Sequence, residues 1–130
     1  MSLTLSALPW IPFEPASWMI DDTVRALSPA GRAYLMDILC KMHLSGGGGY
    51  ILNKRGEPMP TRMIEASLGI PPGIVEEIVG STALEELSDS LFSAEAARMA
   101  EVQRKRRDKQ IASGRKGAEI RKLNQRQGAL

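Results

Sequence analysis

The stretch "TRMIEASLGIPPGIVEEIVG", residues 61–80, decides the fold. Thr61 reads as a helix cap, Met63, Ile64 and Leu68 as apolar positions at helical spacing, and Gly69 as a stop. A second helix begins after the tight turn at "IPPG", with Ile74, Val75, Ile78 and Val79 apolar and Gly80 ending it. Two short helices joined by a few residues containing Gly and Pro predict a helix-turn-helix.

Upstream, Ser28 is a good N-cap and Pro29 stands at the favoured first helical position. Ala33, Tyr34, Ile38 and Met42 share a face, with Leu35 and Leu39 beside them. The spacing predicts a helix over 29–44, stopping before Gly46, with Cys40 a small core residue and His43 near the helix end. "SGGGG", residues 45–49, reads as a flexible connector. It lacks the Lys-Ser or Lys-Thr that a phosphate-binding P-loop needs after its last glycine, because Tyr50 and Ile51 stand there. "YILN" is expected to form a short strand and "KRGEPMP" a loop.

Residues 81–93 carry two signals. Thr82 and Glu85 fit a capping box, whereas "ELSDSLFS" reads as two short strands around Asp89-Ser90, the wing of a winged helix. We expect one helical turn extending the preceding helix, then a short hairpin. From Ala94 the composition is helical, with Ser93 as cap. Ala96, Met99 and Ala100, flanked by Val102, form an apolar stripe that ends there, and every residue from Gln103 to Gln110 is polar. The first half of this helix is expected to dock and the second half to project. Gly114 and Gly117 should break it, leaving a tail disordered in isolation. At the other end, the prolines of "PWIPFEPASW", residues 9–18, predict an extended segment whose rings pack against the domain or form an aromatic contact strip.

Charge divides the chain in the same place. Residues 1–97 hold six basic and twelve acidic side chains, and residues 98–130 hold eleven and three. A net of −6 is followed by +8, which predicts an acidic winged-helix-like domain over 1–97 and a basic arm over 98–130.

One cysteine and one histidine leave no disulfide and no zinc ligand set, and no cofactor fingerprint occurs. The pairs Asp21-Asp22, Glu76-Glu77 and Glu85-Glu86 are adjacent in sequence, so on a helix they diverge by about 100° and make no natural acid–base pair. We therefore expect no enzymatic activity, no catalytic residue and no metal. No basic region precedes Glu14 and no apolar run approaches membrane-spanning length, so a cytoplasmic protein without a membrane partner is expected.

The second helix of the helix-turn-helix offers Glu76 and Glu77 to a partner and no cation, which suits phosphate poorly. Nucleic acid is expected instead at Arg104, Lys105, Arg106, Arg107, Lys109, Arg115, Lys116, Arg121 and Lys122, with Lys54, Arg55 and Arg62 as secondary contacts. The arm has no aromatic side chain, so stacking on single strands is not indicated and duplex DNA with weak sequence preference is the expected partner. The alternative is a protein adaptor that meets its partner through Trp10, Phe13 and Trp18 or through Glu76 and Glu77.

"PFEPASW" at 12–18, "DDT" at 21–23, "LSPAGRAYLMDIL" at 27–39, "EPMP" at 57–60, the "LGIPP" junction and the terminal "SGRKGAEIRK" together resemble the YdaU-like domain family of phage and prophage proteins. Ser17 stands where members usually carry an acidic residue, and the wing region is shorter than theirs. The resemblance implies a winged-helix-like domain acting in phage DNA replication, in contact with replication proteins. It brings no functional residues with it.

Overall fold

Local propensity and apolar spacing build six helices and one hairpin over residues 13–128, the part of the chain that the computed structural model describes. Helices α1 (Pro15–Ile20), α2 (Asp22–Arg25), α3 (Pro29–Leu44), α4 (Thr61–Leu68) and α5 (Ile74–Gly80) come first. Strands β1 (Glu85–Leu87) and β2 (Ser90–Phe92) follow, then α6 (Ala94–Gly128). The chain divides into two compact units between Ala100 and Glu101.

In the first unit, α3 forms where the sequence places it. The Ser28 hydroxyl accepts from the Gly31 amide at 3.1 Å and Pro29 takes the first helical position. Leu35, Ile38 and Met42 are buried, Tyr34 and Leu39 pack partly against them, and Ala33 is exposed. Cys40 is also exposed, contrary to the expected core position. It stands two residues from Ile38, about 200° round the helix and so on the opposite face. α3 packs against α5, whose Val75 and Ile78 are buried, and Ile51, Ile64, Leu84 and Leu91 complete the core.

The hairpin pairs Glu85 with Phe92, Glu86 with Leu91 and Leu87 with Ser90. Its two-residue turn is Ser88-Asp89, one position before the expected Asp89-Ser90 centre. Both turn residues take positive φ, 49° and 64°, the geometry whose twist matches antiparallel strands. The expected helical turn over 82–85 does not form: α5 ends at Gly80 and Thr82 is left-handed at φ 66°. Leu84 is thereby carried into the core.

On its other edge β2 makes single antiparallel bridges from Phe92 to Tyr50 and from Ser90 to Pro60. The "YILN" segment therefore contributes isolated bridges rather than a strand. Thr61 is the first residue of α4, not its cap. Its amide and hydroxyl both donate to the Asp89 carbonyl, and the hydroxyl also donates to Glu86 at 3.0 Å. These bonds tie the start of α4 to the hairpin. Gly69 closes α4 at φ 65°, as expected.

Within the glycine run at 46–49, Gly47 and Gly49 are close-packed rather than parts of a loose connector. A Cβ on Gly49 would meet the Phe92 ring and lie 2.6 Å from the Ser93 carbonyl. This close approach lets the Ser93 amide donate to the Gly49 carbonyl at 2.9 Å and seats the Tyr50 ring 4.9 Å from that of Phe92.

Two further expectations are corrected. Residues 15–18 are helical, because Pro15 sits at the first helical position, where no amide bond is lost. α6 continues through Gly114 and Gly117 to Gly128. Each glycine costs a helix only about 1 kcal/mol relative to alanine, and the surrounding Ala, Arg, Lys, Glu and Gln favour helix.

Candidate nucleic-acid interface

α6 begins with a working cap: the Ser93 hydroxyl accepts from the Ala96 amide at 3.0 Å. Ala96, Ala97, Met99 and Ala100 are half-buried, and from Arg104 onward nearly every described side chain is exposed. The segment 101–130 forms the second compact unit and holds ten basic and three acidic residues, a net of +7.

Its ion pairs are local. Arg104 meets Glu101, one turn before it, at 2.6 Å and Asp108, one turn after it, at 3.5 Å. Arg104 and Glu101 also hold each other's charge: the guanidinium bond pulls the Glu101 carboxyl below its ordinary value, and the carboxylate pushes the Arg104 guanidinium up. With both partners about half exposed or more, the pairs add little to stability. Their effect is on which charges stay available. Among the described residues no other basic side chain of α6 lies within ion-pair distance of a carboxylate. Lys105, Arg106, Lys109, Arg115, Lys116, Arg121 and Lys122 are exposed, and Arg107 is half-buried.

The secondary cations do not share an element. Lys54 and Arg55 sit exposed in a turn braced by Asn53, whose side-chain oxygen accepts from the amides of Arg55 at 2.9 Å and Glu57 at 3.1 Å. Arg62 is exposed on α4.

Glu76 and Glu77 part company. Glu76 is exposed. Glu77 reaches from α5 to the start of α3 and accepts from both the amide and the hydroxyl of Ser28. These bonds, with Arg32 nearby, hold its carboxyl below its ordinary value. Gly31 makes the reach possible: a Cβ there would stand 2.7 Å from the Glu77 carboxylate. This link was not legible beforehand, although a glycine three residues into a strongly capped helix is its one trace.

Of the aromatic strip, Trp10 lies outside the described residues. Phe13 and Trp18 form a tilted pair with centroids 5.9 Å apart. Trp18 is half-buried against the core, whereas Phe13, Met19 and Ile20 are more than half exposed. Elsewhere a shallow groove of about 400 Å³ runs along α3 and α4, lined by Asp37, Cys40, Lys41 and Leu68 among others. Lys41 is engaged there with the Ser67 hydroxyl at 2.7 Å. Among the described residues no three His, Cys, Asp or Glu side chains cluster as metal ligands. No described helix is long and apolar enough to cross a membrane.

Comparison with protein-family models, curated proteins and solved structures returns no match to this chain.

Proposed function

We propose that the protein is a non-enzymatic DNA-binding accessory factor that grips the phosphate backbone through α6. The observation that carries this reading is the charge division. An acidic first unit is followed by a continuous, solvent-exposed helix with a net charge of +7. Each phosphate neutralised releases condensed counterion, so such a helix binds duplex DNA with little sequence preference and a steep salt dependence.

The first unit serves as a winged-helix scaffold in this reading. The order helix, bridging segment, helix-turn-helix, hairpin supports it, as does the bridging of β2 to Tyr50 and Pro60. Its second helix is not the DNA reader: Glu76 would repel phosphate, and Glu77 is engaged by Ser28. The resemblance to YdaU-like domains suggests work in phage or prophage DNA replication.

The test is a salt titration of duplex binding with the full chain and a 1–102 fragment. The full chain should bind at low salt with affinity falling steeply as salt rises, and the fragment should not bind. Equal binding by the fragment would remove α6 from the site.

A second reading, a protein adaptor, draws on α1. Phe13 at 51%, Met19 at 59% and Ile20 at 78% exposure place three large apolar side chains in water within eight residues of chain, Phe13 just before α1 and the other two at its end. Capture of a replication protein that survives loss of α6 and fails in Met19→Asp/Ile20→Asp would favour it.

A further inference from the structure

α6 is not uniformly basic. Successive residues turn by about 100° around an α-helix, so Glu101, Asp108 and Glu119 fall within about 20° of one another. All three carboxylates of the arm therefore share one narrow row, and Arg104 is spent within it on Glu101 and Asp108.

Opposite that row, within about 40° of its antipode, stand Gln103, Arg106, Gln110, Gly117, Arg121 and Asn124. Arg and Gln are the side chains that pair bidentately with guanine and adenine edges. Gly117 has no side chain there, and its carbonyl accepts from the Arg121 Nε at 3.3 Å, so the Arg121 side chain lies back along the helix over it. A Cβ at Gly114, on the same side, would meet nothing within 4 Å, so the backbone is bare at that position.

Cations flank this face on both sides. Lys105, Lys109 and Lys116 lie between it and the carboxylates on one side, and Arg107, Arg115 and Lys122 on the other. A face of base-edge donors, two rows of cations and an outward row of carboxylates is the arrangement a helix needs between two phosphate walls.

We infer that α6 lies in the major groove of duplex DNA, with Arg106, Gln110 and Arg121 toward the base edges, Lys105, Lys109 and Arg107 toward the phosphates, and Glu101, Asp108 and Glu119 away from the helix axis of the DNA. This rests on the reading of α6 as the DNA-binding element and names the groove and the face. B-DNA admits an α-helix in its major groove, whereas the A-form major groove of double-stranded RNA is too deep and narrow.

The test compares the full chain on duplex DNA, on double-stranded RNA of the same sequence and on single-stranded DNA, with dimethyl sulfate probing of guanine N7. Binding should favour duplex DNA over duplex RNA at least tenfold at equal salt, and the bound protein should protect N7 positions. Arg106→Gln/Arg121→Gln should lose that protection. Glu101→Gln/Asp108→Asn/Glu119→Gln should keep it and change affinity less than threefold. Circular dichroism confirms that each variant retains its helix. Equal affinity for the two duplexes, or no N7 protection, would overturn the groove assignment while leaving the backbone grip intact. Absence of any nucleic-acid binding would overturn both.

Discussion

Glu77 shows how much one side chain can settle. Its carboxylate fastens α5 to the first turn of α3 by accepting twice from Ser28, and Gly31 vacates the space it needs. Gly31→Ala should therefore destabilise the native chain in urea unfolding by displacing that carboxylate. In a Glu77→Ala background the same change should cost less, because the close neighbour that remains, the Leu27 Cβ at 3.3 Å, has to give by only a few tenths of an ångström. The sign of the pH dependence follows from the lowered carboxyl. A group whose folded value lies below its unfolded one stabilises above the unfolded value, near 4.5, and loses that contribution as pH falls through the folded value. Glu77→Gln should thus flatten the loss of stability below pH 4.5, read from melting temperature against pH. Some acid sensitivity should persist through Asp21, whose carboxyl is also held low, chiefly by the Thr23 hydroxyl. Gly49→Ala should cost about 1–3 kcal/mol, since the new methyl meets the Ser93 backbone carbonyl and something must shift.

At the scale of elements, what could be read in advance was what local chemistry fixes. α3 was legible end to end because Ser28-Pro29 starts it and one stripe of Leu35, Ile38 and Met42 runs its length. α4 and α5 are legible from Gly69, Gly80 and their paired apolar positions, although Thr61 is not the cap it resembles and instead donates to the hairpin. The hairpin was displaced by one residue because Ser88 and Asp89 adopt positive φ without the glycine that usually announces such a turn. Replacing Ser88-Asp89 by Asn-Gly should stabilise the domain by about 0.5–1 kcal/mol in denaturant unfolding, because the new pair adopts that geometry more readily. Gly114 and Gly117 do not break α6, because the helix-favouring residues around them outweigh each glycine's penalty. Gly114→Ala should raise helicity by circular dichroism and amide protection over residues 110–120, with a gain of about 1 kcal/mol in the helix. The row of carboxylates on α6 was present in the spacing of residues 101, 108 and 119, but only a helix unbroken across Gly114 and Gly117 aligns it.

For the whole molecule, the net charge of +2 conceals the division that matters. Ten basic and three acidic residues after Ala100 make the arm a polycation, and the unit before it carries the excess of acid. Exposed cations on a continuous helix bind a polyanion by releasing its counterions, so the account stands or falls on salt. The deciding measurement is the duplex-DNA affinity of the full chain between 50 mM and 200 mM salt. With five to eight phosphates engaged, the slope of log affinity against log salt should lie near −5 to −7, at about −0.9 per contact. Neutralising Lys105, Arg107, Lys109 and Lys116 to Gln should reduce its magnitude by about 3–4. A slope near zero, or one unchanged by the four substitutions, would contradict a phosphate grip through α6.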